Sequence, residues 1–183
     1  MKTININGKI YNILRLLGHG KGGYSWLVTD GVTQYVCKQI HHEPCDYYTF
    51  GDKLAAELGD YERLSAISLP LPRLLAVDHG QERLLKEYID GPTACDLVAR
   101  DALPEGWEAQ MEAMCAAVYG AGLNIDWFPT NFICSGGKLW YIDYECNPYD
   151  AQWNFANWGV KYWGKTPEFL AYMEQKGKEA TES

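Results

Sequence analysis

Between two apolar, strand-like runs the chain carries Gly18-His19-Gly20-Lys21-Gly22-Gly23, a G-x-G-x-x-G spacing. The residues after the glycines constrain the fold more than the glycines do. A dinucleotide-binding βαβ unit needs a helix directly after such a turn. Here the next residues are Tyr24-Ser25-Trp26-Leu27-Val28, which read as a strand. In a strand-turn-strand of this kind, backbone N–H groups can close over phosphate oxygens. The alternative phosphate loop, G-x-x-x-x-G-K-S/T, is absent.

The surroundings read as an antiparallel meander. Strands are expected over 3–6, 9–16, 24–29 and 35–40, the last two separated by a turn at Asp30-Gly31. Leu54, Leu58, Tyr61 and Leu64 then recur at helical spacing, so a helix is expected over 47–67. Two more strands are expected over 74–78 and 83–88. Asp90-Gly91-Pro92 is the expected break between a lobe at 1–90 and a lobe at 91–183. The second half opens with helices at 93–100, capped by Thr93, and at 104–119. Residues 123–131 read as irregular. A hairpin is expected from 132–134 and 139–143 around Ser135-Gly136-Gly137, and two helices between 152 and 173. The fold class is α+β.

Composition narrows the function. With 47% hydrophobic and 22% charged residues, the chain is globular rather than disordered. A net charge of -8 and the lack of a Lys/Arg run argue against nucleic-acid binding. No window approaches a membrane span, and the first ten residues do not resemble an export signal. The six cysteines form no C-x-x-C pair, so zinc is not expected, and reduced thiols in a cytoplasmic protein are. His41-His42 is given no metal role, because adjacent strand positions point apart.

Two further groups carry chemistry. Lys38 lies in the apolar run Tyr35-Val36-Cys37-Lys38-Gln39-Ile40. A buried ammonium needs a partner, and the expected helix offers Glu57 or Glu62. A Lys38–Glu57 pair would hold the ammonium against nucleotide phosphates; the other possibility is a solvent-facing edge lysine. Asp126, Asn131 and Asp143 form the stronger set. Two carboxylates and an amide carbonyl are hard oxygen ligands that suit Mg²⁺. Taken singly, either aspartate could merely end a turn or a strand.

In this order and spacing, the chain from about residue 14 to 163 resembles the protein-kinase-like superfamily, which includes eukaryotic-type protein kinases, aminoglycoside phosphotransferases and choline kinases. The resemblance implies a two-lobed fold, with an antiparallel sheet plus one helix in the first lobe and a shortened, mainly helical second lobe. It implies ATP and Mg²⁺ as cofactors and γ-phosphoryl transfer to an alcohol, either a small molecule or a protein serine or threonine. Gly18, Gly20 and Gly23 would cover the nucleotide, and Lys38 with Glu57 would position its phosphates. In Lys86-Glu87-Tyr88-Ile89-Asp90-Gly91, which is similar to a hinge, the Glu87 carbonyl and Ile89 N–H would meet adenine. Asp126 would be the catalytic aspartate, and Asn131 and Asp143 the metal ligands.

The departures are specific. Where the family has H-R-D, this chain has Asn124-Ile125-Asp126, which lacks the arginine that receives an activation-loop phosphate. Phe128 replaces a lysine common two residues after the catalytic aspartate, and D-F-G becomes Asp143-Tyr144-Glu145. Asn154-Phe155-Ala156-Asn157-Trp158 is closer to choline-kinase-type sequences, and the short chain after Asp143 resembles small atypical kinases. A nucleotide-binding pseudokinase that regulates a protein partner is the alternative. Trp153, Trp158 and Trp163 are expected to be packing residues.

Overall fold

The computed structural model describes residues 2–20, 22–43 and 51–181 of a mixed α+β protein. Contacts divide the chain into two units, Met1–Gly59 with Pro72–Tyr88, and Asp60–Leu71 with Ile89–Ser183.

The first unit is built on one antiparallel sheet. Its strands are β1 (Thr3–Ile6), β2 (Lys9–Gly20), β3 (Gly23–Thr29), β4 (Gln34–Ile40), β5 (Leu74–Asp78) and β6 (Arg83–Glu87). They lie in the order β1-β2-β3-β4-β6-β5, so the first four form the expected meander. Asn7 and Gly8, both at positive φ, make the β1–β2 turn, the backbone that a two-residue hairpin of this twist requires. That turn reaches across to β5. Asn7 N–H donates to Asp78 Oδ2 at 2.9 Å, and Asn7 Nδ2 donates to the Val77 carbonyl at 2.9 Å. The two edge strands are thereby stitched together and the sheet curls.

Strand alternation separates two cores. Ile4, Ile6, Tyr11, Val28, Cys37 and Leu85 cluster together, and burial pushes the Cys37 thiol up to about 12. Ile40 and Leu84 join Leu54 and Leu58 of helix α1 (Lys53–Ser65) in another cluster. Because side chains alternate along β4, Lys38 shares the α1 face with Ile40, and Cys37 faces away. Asp52 begins α1 by accepting the Ala55 N–H at 2.9 Å. The helix is shorter than the sequence pattern suggests, ending at Ser65. The front of the expected span, with Tyr47 and Tyr48, lies outside the described residues, as does Cys45. The division into units falls inside α1.

The second unit contains helices α2 (Ala94–Ala99), α3 (Trp107–Gly120) and α4 (Pro167–Thr181). Its strands are β7 (Leu123–Ile125), β8 (Phe132–Ser135), β9 (Lys138–Tyr141) and β10 (Cys146–Pro148). Thr93 caps α2 in a reciprocal box with Asp96. The expected hairpin is β8–β9, turning through Gly136 and Gly137 at positive φ. Residues 123–131 are not wholly irregular, because β7 pairs antiparallel with β10. Three residues are too few for a periodicity to show, and their partner lies about twenty residues downstream. The stretch 152–173 also differs from expectation. Short 3₁₀ turns at Ala151–Trp153 and Gly159–Tyr162 precede a single helix. Asn154 Oδ1 takes the Asn157 N–H at 2.7 Å, a local bond that competes with helix continuation.

The core of this unit gathers Leu64, Leu69, Met111, Val118, Trp127, Phe132, Leu139, Tyr141 and Trp163. Trp163 is buried, and its indole N–H donates to the Trp127 carbonyl at 2.8 Å. Trp158 is half-buried, and Trp153, although exposed, meets the Trp158 ring edge to face with centroids 5.9 Å apart, so Trp153 packs only in part.

Candidate functional site

In the first unit, strand pairing sets the position of the glycines. Gly20 pairs with Gly23 to close the β2–β3 hairpin. Gly23 has a structural requirement. A Cβ there would lie 2.3 Å from the Gln39 carbonyl oxygen on β4. Gly18 and Gly20 have no such neighbour within 4 Å. Beside them, a Cβ on Gly22 would lie 3.5 Å from Lys38 Nζ, so the glycine turn passes next to that ammonium.

Lys38 pairs with Glu57, Nζ to Oε2, at 2.6 Å, with side chains only 14% and 10% exposed. The choice between Glu57 and Glu62 is thus resolved at this end of α1. Five residues turn a helix by about 140°, and Glu62 is exposed. The other oxygen, Glu57 Oε1, is buried with no hydrogen-bond partner among the described residues. Such an atom carries an unreturned desolvation cost. Glu87, at the end of β6, donates its N–H to the Arg73 carbonyl at 2.9 Å and accepts Arg73 Nε at 3.3 Å.

In the second unit, Asp126, Asn131 and Asp143 are brought together by short-range bonds. Asp126 comes directly after β7, and its Oδ1 accepts the Phe128 N–H at 3.0 Å. Asn131 ends a 3₁₀ turn, and its Nδ2 donates to the Asp126 carbonyl at 3.4 Å. The donor end of that amide is therefore used internally, and the oxygen is the end a cation would meet. The Asn131 carbonyl accepts the Ile142 N–H at 2.9 Å, which ties the turn to the strand leading into Asp143. Asp143 Oδ1 accepts the Tyr144 N–H at 2.8 Å, and the buried Tyr144 ring packs against Tyr61 at 4.6 Å. Ile89, Asp126, Asn131 and Asp143 are all half-buried.

Tyr141 sits beneath this cluster. Burial pushes its phenol well above the ordinary range, and the charges of Asp143 and Asp126 push it further. Both carboxylates therefore act on one buried ring. The phenol donates to the Glu145 carbonyl at 2.8 Å. Sequence reading missed Tyr141, since an apolar strand end carries no sign of this role. In the sequence Asn124 marks only a departure from the resembled motif, and nothing there signals its hydrogen-bonding role. Asn124 is buried, accepts the Trp127 indole N–H at 2.7 Å and donates to the Trp153 carbonyl at 2.9 Å. Phe128 packs among Trp158, Tyr162 and Tyr172.

The donor sets fit the implied groups. Two carboxylates and an amide oxygen are Mg²⁺ ligands by type, and an ammonium beside a glycine turn is a phosphate partner by type. Neither the models of known protein families nor the curated protein sequences contain a match to this chain.

Proposed function

We propose that this chain is a two-lobed, protein-kinase-like phosphotransferase that uses ATP and Mg²⁺ to phosphorylate an alcohol, either a small molecule or a protein serine or threonine. The Lys38–Glu57 pair carries this reading. A strand lysine held nearly buried at 2.6 Å by a helix carboxylate, beside a glycine turn, is an arrangement with a use for phosphate. Bound ATP with Mg²⁺ would supply the γ-phosphoryl group and neutralise charge as it moves. Lys38 would hold phosphate oxygens, and Glu57 would keep its ammonium in place. Asn131 and Asp143 would hold the metal through oxygen. Asp126 would orient the acceptor hydroxyl and take its proton. Catalysis would rest on positioning and charge neutralisation.

One observation favours nucleotide binding without transfer, as in a pseudokinase regulating a partner. The Phe128 ring is locked among three aromatic rings, so the usual cation of that loop position has no counterpart there. Thermal melting with ATP, with and without Mg²⁺, tests the shared part of both readings. A ligand of the folded state must raise the melting temperature. The rise should need Mg²⁺ and should vanish in Asp143→Asn, which keeps an acceptor for the Tyr144 N–H. No shift at millimolar ATP would refute both readings. Slow ADP release in the native chain, lost in Asp126→Asn, would favour transfer over binding alone.

A further inference from the structure

We propose that His19, His41 and Glu43 form a site for a divalent transition-metal ion of the zinc class. The inference does not rest on the phosphotransferase reading. Each residue offers one ligand atom, and the three atoms lie within 4.8 Å of one another. They come from two places in the chain. His19 lies near the end of β2, between Gly18 and Gly20, and His41 and Glu43 come just after β4.

The donor chemistry and the spacing agree. Two imidazoles and a carboxylate suit four-coordinate zinc with water in the fourth position. Ligand atoms bonded at 2.0–2.1 Å stand about 3.3 Å apart, the edge of the tetrahedron. His19 Nε2 and Glu43 Oε2 are 3.5 Å apart. That is too long for a good hydrogen bond and close to a ligand-to-ligand separation.

The surrounding groups already hold His41 and Glu43 as ligands are usually held. Metal-bound imidazoles commonly donate their other N–H to a carbonyl, and metal-bound carboxylates are themselves hydrogen-bonded. His41 Nε2 faces the Gly20 carbonyl at 2.9 Å. A carbonyl only accepts, so Nε2 carries the proton and Nδ1 holds the lone pair. That lone pair now takes the Glu43 N–H at 3.2 Å, a long bond that an ion would replace. Tyr24 O–H donates to Glu43 Oε1 at 2.6 Å, while Oε2 faces His19. The Tyr24 ring also stacks on His19, with centroids 4.1 Å apart and planes within 2°. Tyr24 thus orients two ligands at once. His42 turns elsewhere, to Glu82 at 2.6 Å. An ion bound here would cross-link the glycine hairpin to the chain leaving β4 and restrict the motion of the hairpin.

The test is titration of the full chain, with thiols kept reduced by a non-chelating phosphine, using Co²⁺ and then Zn²⁺ against a chromophoric chelator. A single equivalent of Co²⁺ should give visible tetrahedral bands without the near-ultraviolet charge-transfer band of a thiolate ligand. His19→Ala, His41→Ala and Glu43→Ala should each weaken binding at least about tenfold, and Tyr24→Phe by about 10–100-fold. His42→Ala should bind as the native chain does. Metal-free melting curves establish that each variant is folded, and Tyr24→Phe tests the site without removing a ligand. No bound equivalent at micromolar ion, a thiolate band, or folded ligand variants with native affinity would overturn the proposal.

Discussion

A lysine largely buried in a strand and a glutamate largely buried in a helix are each costly alone and tolerable together. Lys38 and Glu57 stand in that relation, and one oxygen of Glu57 is already without a partner among the described residues. Lys38→Met should therefore destabilise the protein by about 3 kcal/mol, mostly by stranding Glu57. Adding Glu57→Leu should recover most of the loss. Urea melts of the two single variants and the double variant form the cycle that checks this. If the double variant loses the sum of the single losses, the two residues do not act as a pair. The need for a partner was legible in the sequence, because an ammonium inside an apolar run demands one. Its identity was not, because the rotation of α1 against β4 is set by Leu54, Leu58, Ile40 and Leu84 packing in three dimensions. His19 and His41 were illegible as neighbours for the same reason. Strand register brings them together from about twenty residues apart.

At the scale of the element, the glycine hairpin separates into positions with different needs. Gly23→Ala would drive a methyl into the β4 backbone, where no flexible side chain can move aside. It should cost about 2–3 kcal/mol, read as a lowered melting temperature. Gly18→Ala and Gly20→Ala meet open space and should leave stability within about 1 kcal/mol of the native chain. Under the phosphotransferase proposal, they should weaken nucleotide binding all the same, which a fluorescent ATP analogue would report. Turns are also where pH enters. Asp78 accepts the N–H groups of Asn7 and Gln81, and those bonds hold its carboxyl below the ordinary 3.8. A depressed carboxyl contributes stability that is present above pH 3.8 and lost as pH falls through the lower folded value. Melting temperature tracked from about pH 5 down to about pH 2 should drop less steeply in Asp78→Asn than in the native chain. The strands themselves were largely readable from alternation and turn residues. The β7–β10 pair was not, since a three-residue ladder has too little pattern to be seen.

At the scale of the whole molecule, the contact-defined units do not follow a single cut in the chain. The sequence suggests a break near Asp90-Gly91-Pro92, and the second unit does resume at Ile89. Yet that unit also claims Asp60–Leu71, and Leu64 and Leu69 belong to its core beside Trp127 and Phe132. A sequence break marks where the chain turns, whereas a core is defined by which side chains exclude water together. A fragment of residues 91–183 would lack both leucines, each worth about 2–5 kcal/mol on the scale of Leu→Ala losses. It should show little near-ultraviolet circular dichroism and bind a hydrophobic dye, while a fragment of residues 60–183 should regain fixed aromatic signals. Equal signals from the two fragments would show that Leu64 and Leu69 are dispensable.

The seam between the β1–β2 turn and β5 has a consequence for behaviour in concentrated solution. An open sheet presents two rows of unpaired backbone groups on which foreign strands can grow. Here the short outer strands guard each other, and the guard is an aspartate bonded to Asn7. Protonating that carboxyl weakens the bond from the Asn7 N–H, while the Asn7 Nδ2 bond to the Val77 carbonyl does not titrate. Acid should then do more than loosen the protein, because it thins the guard on both edges, and fibre growth should be faster below the pH where Asp78 protonates.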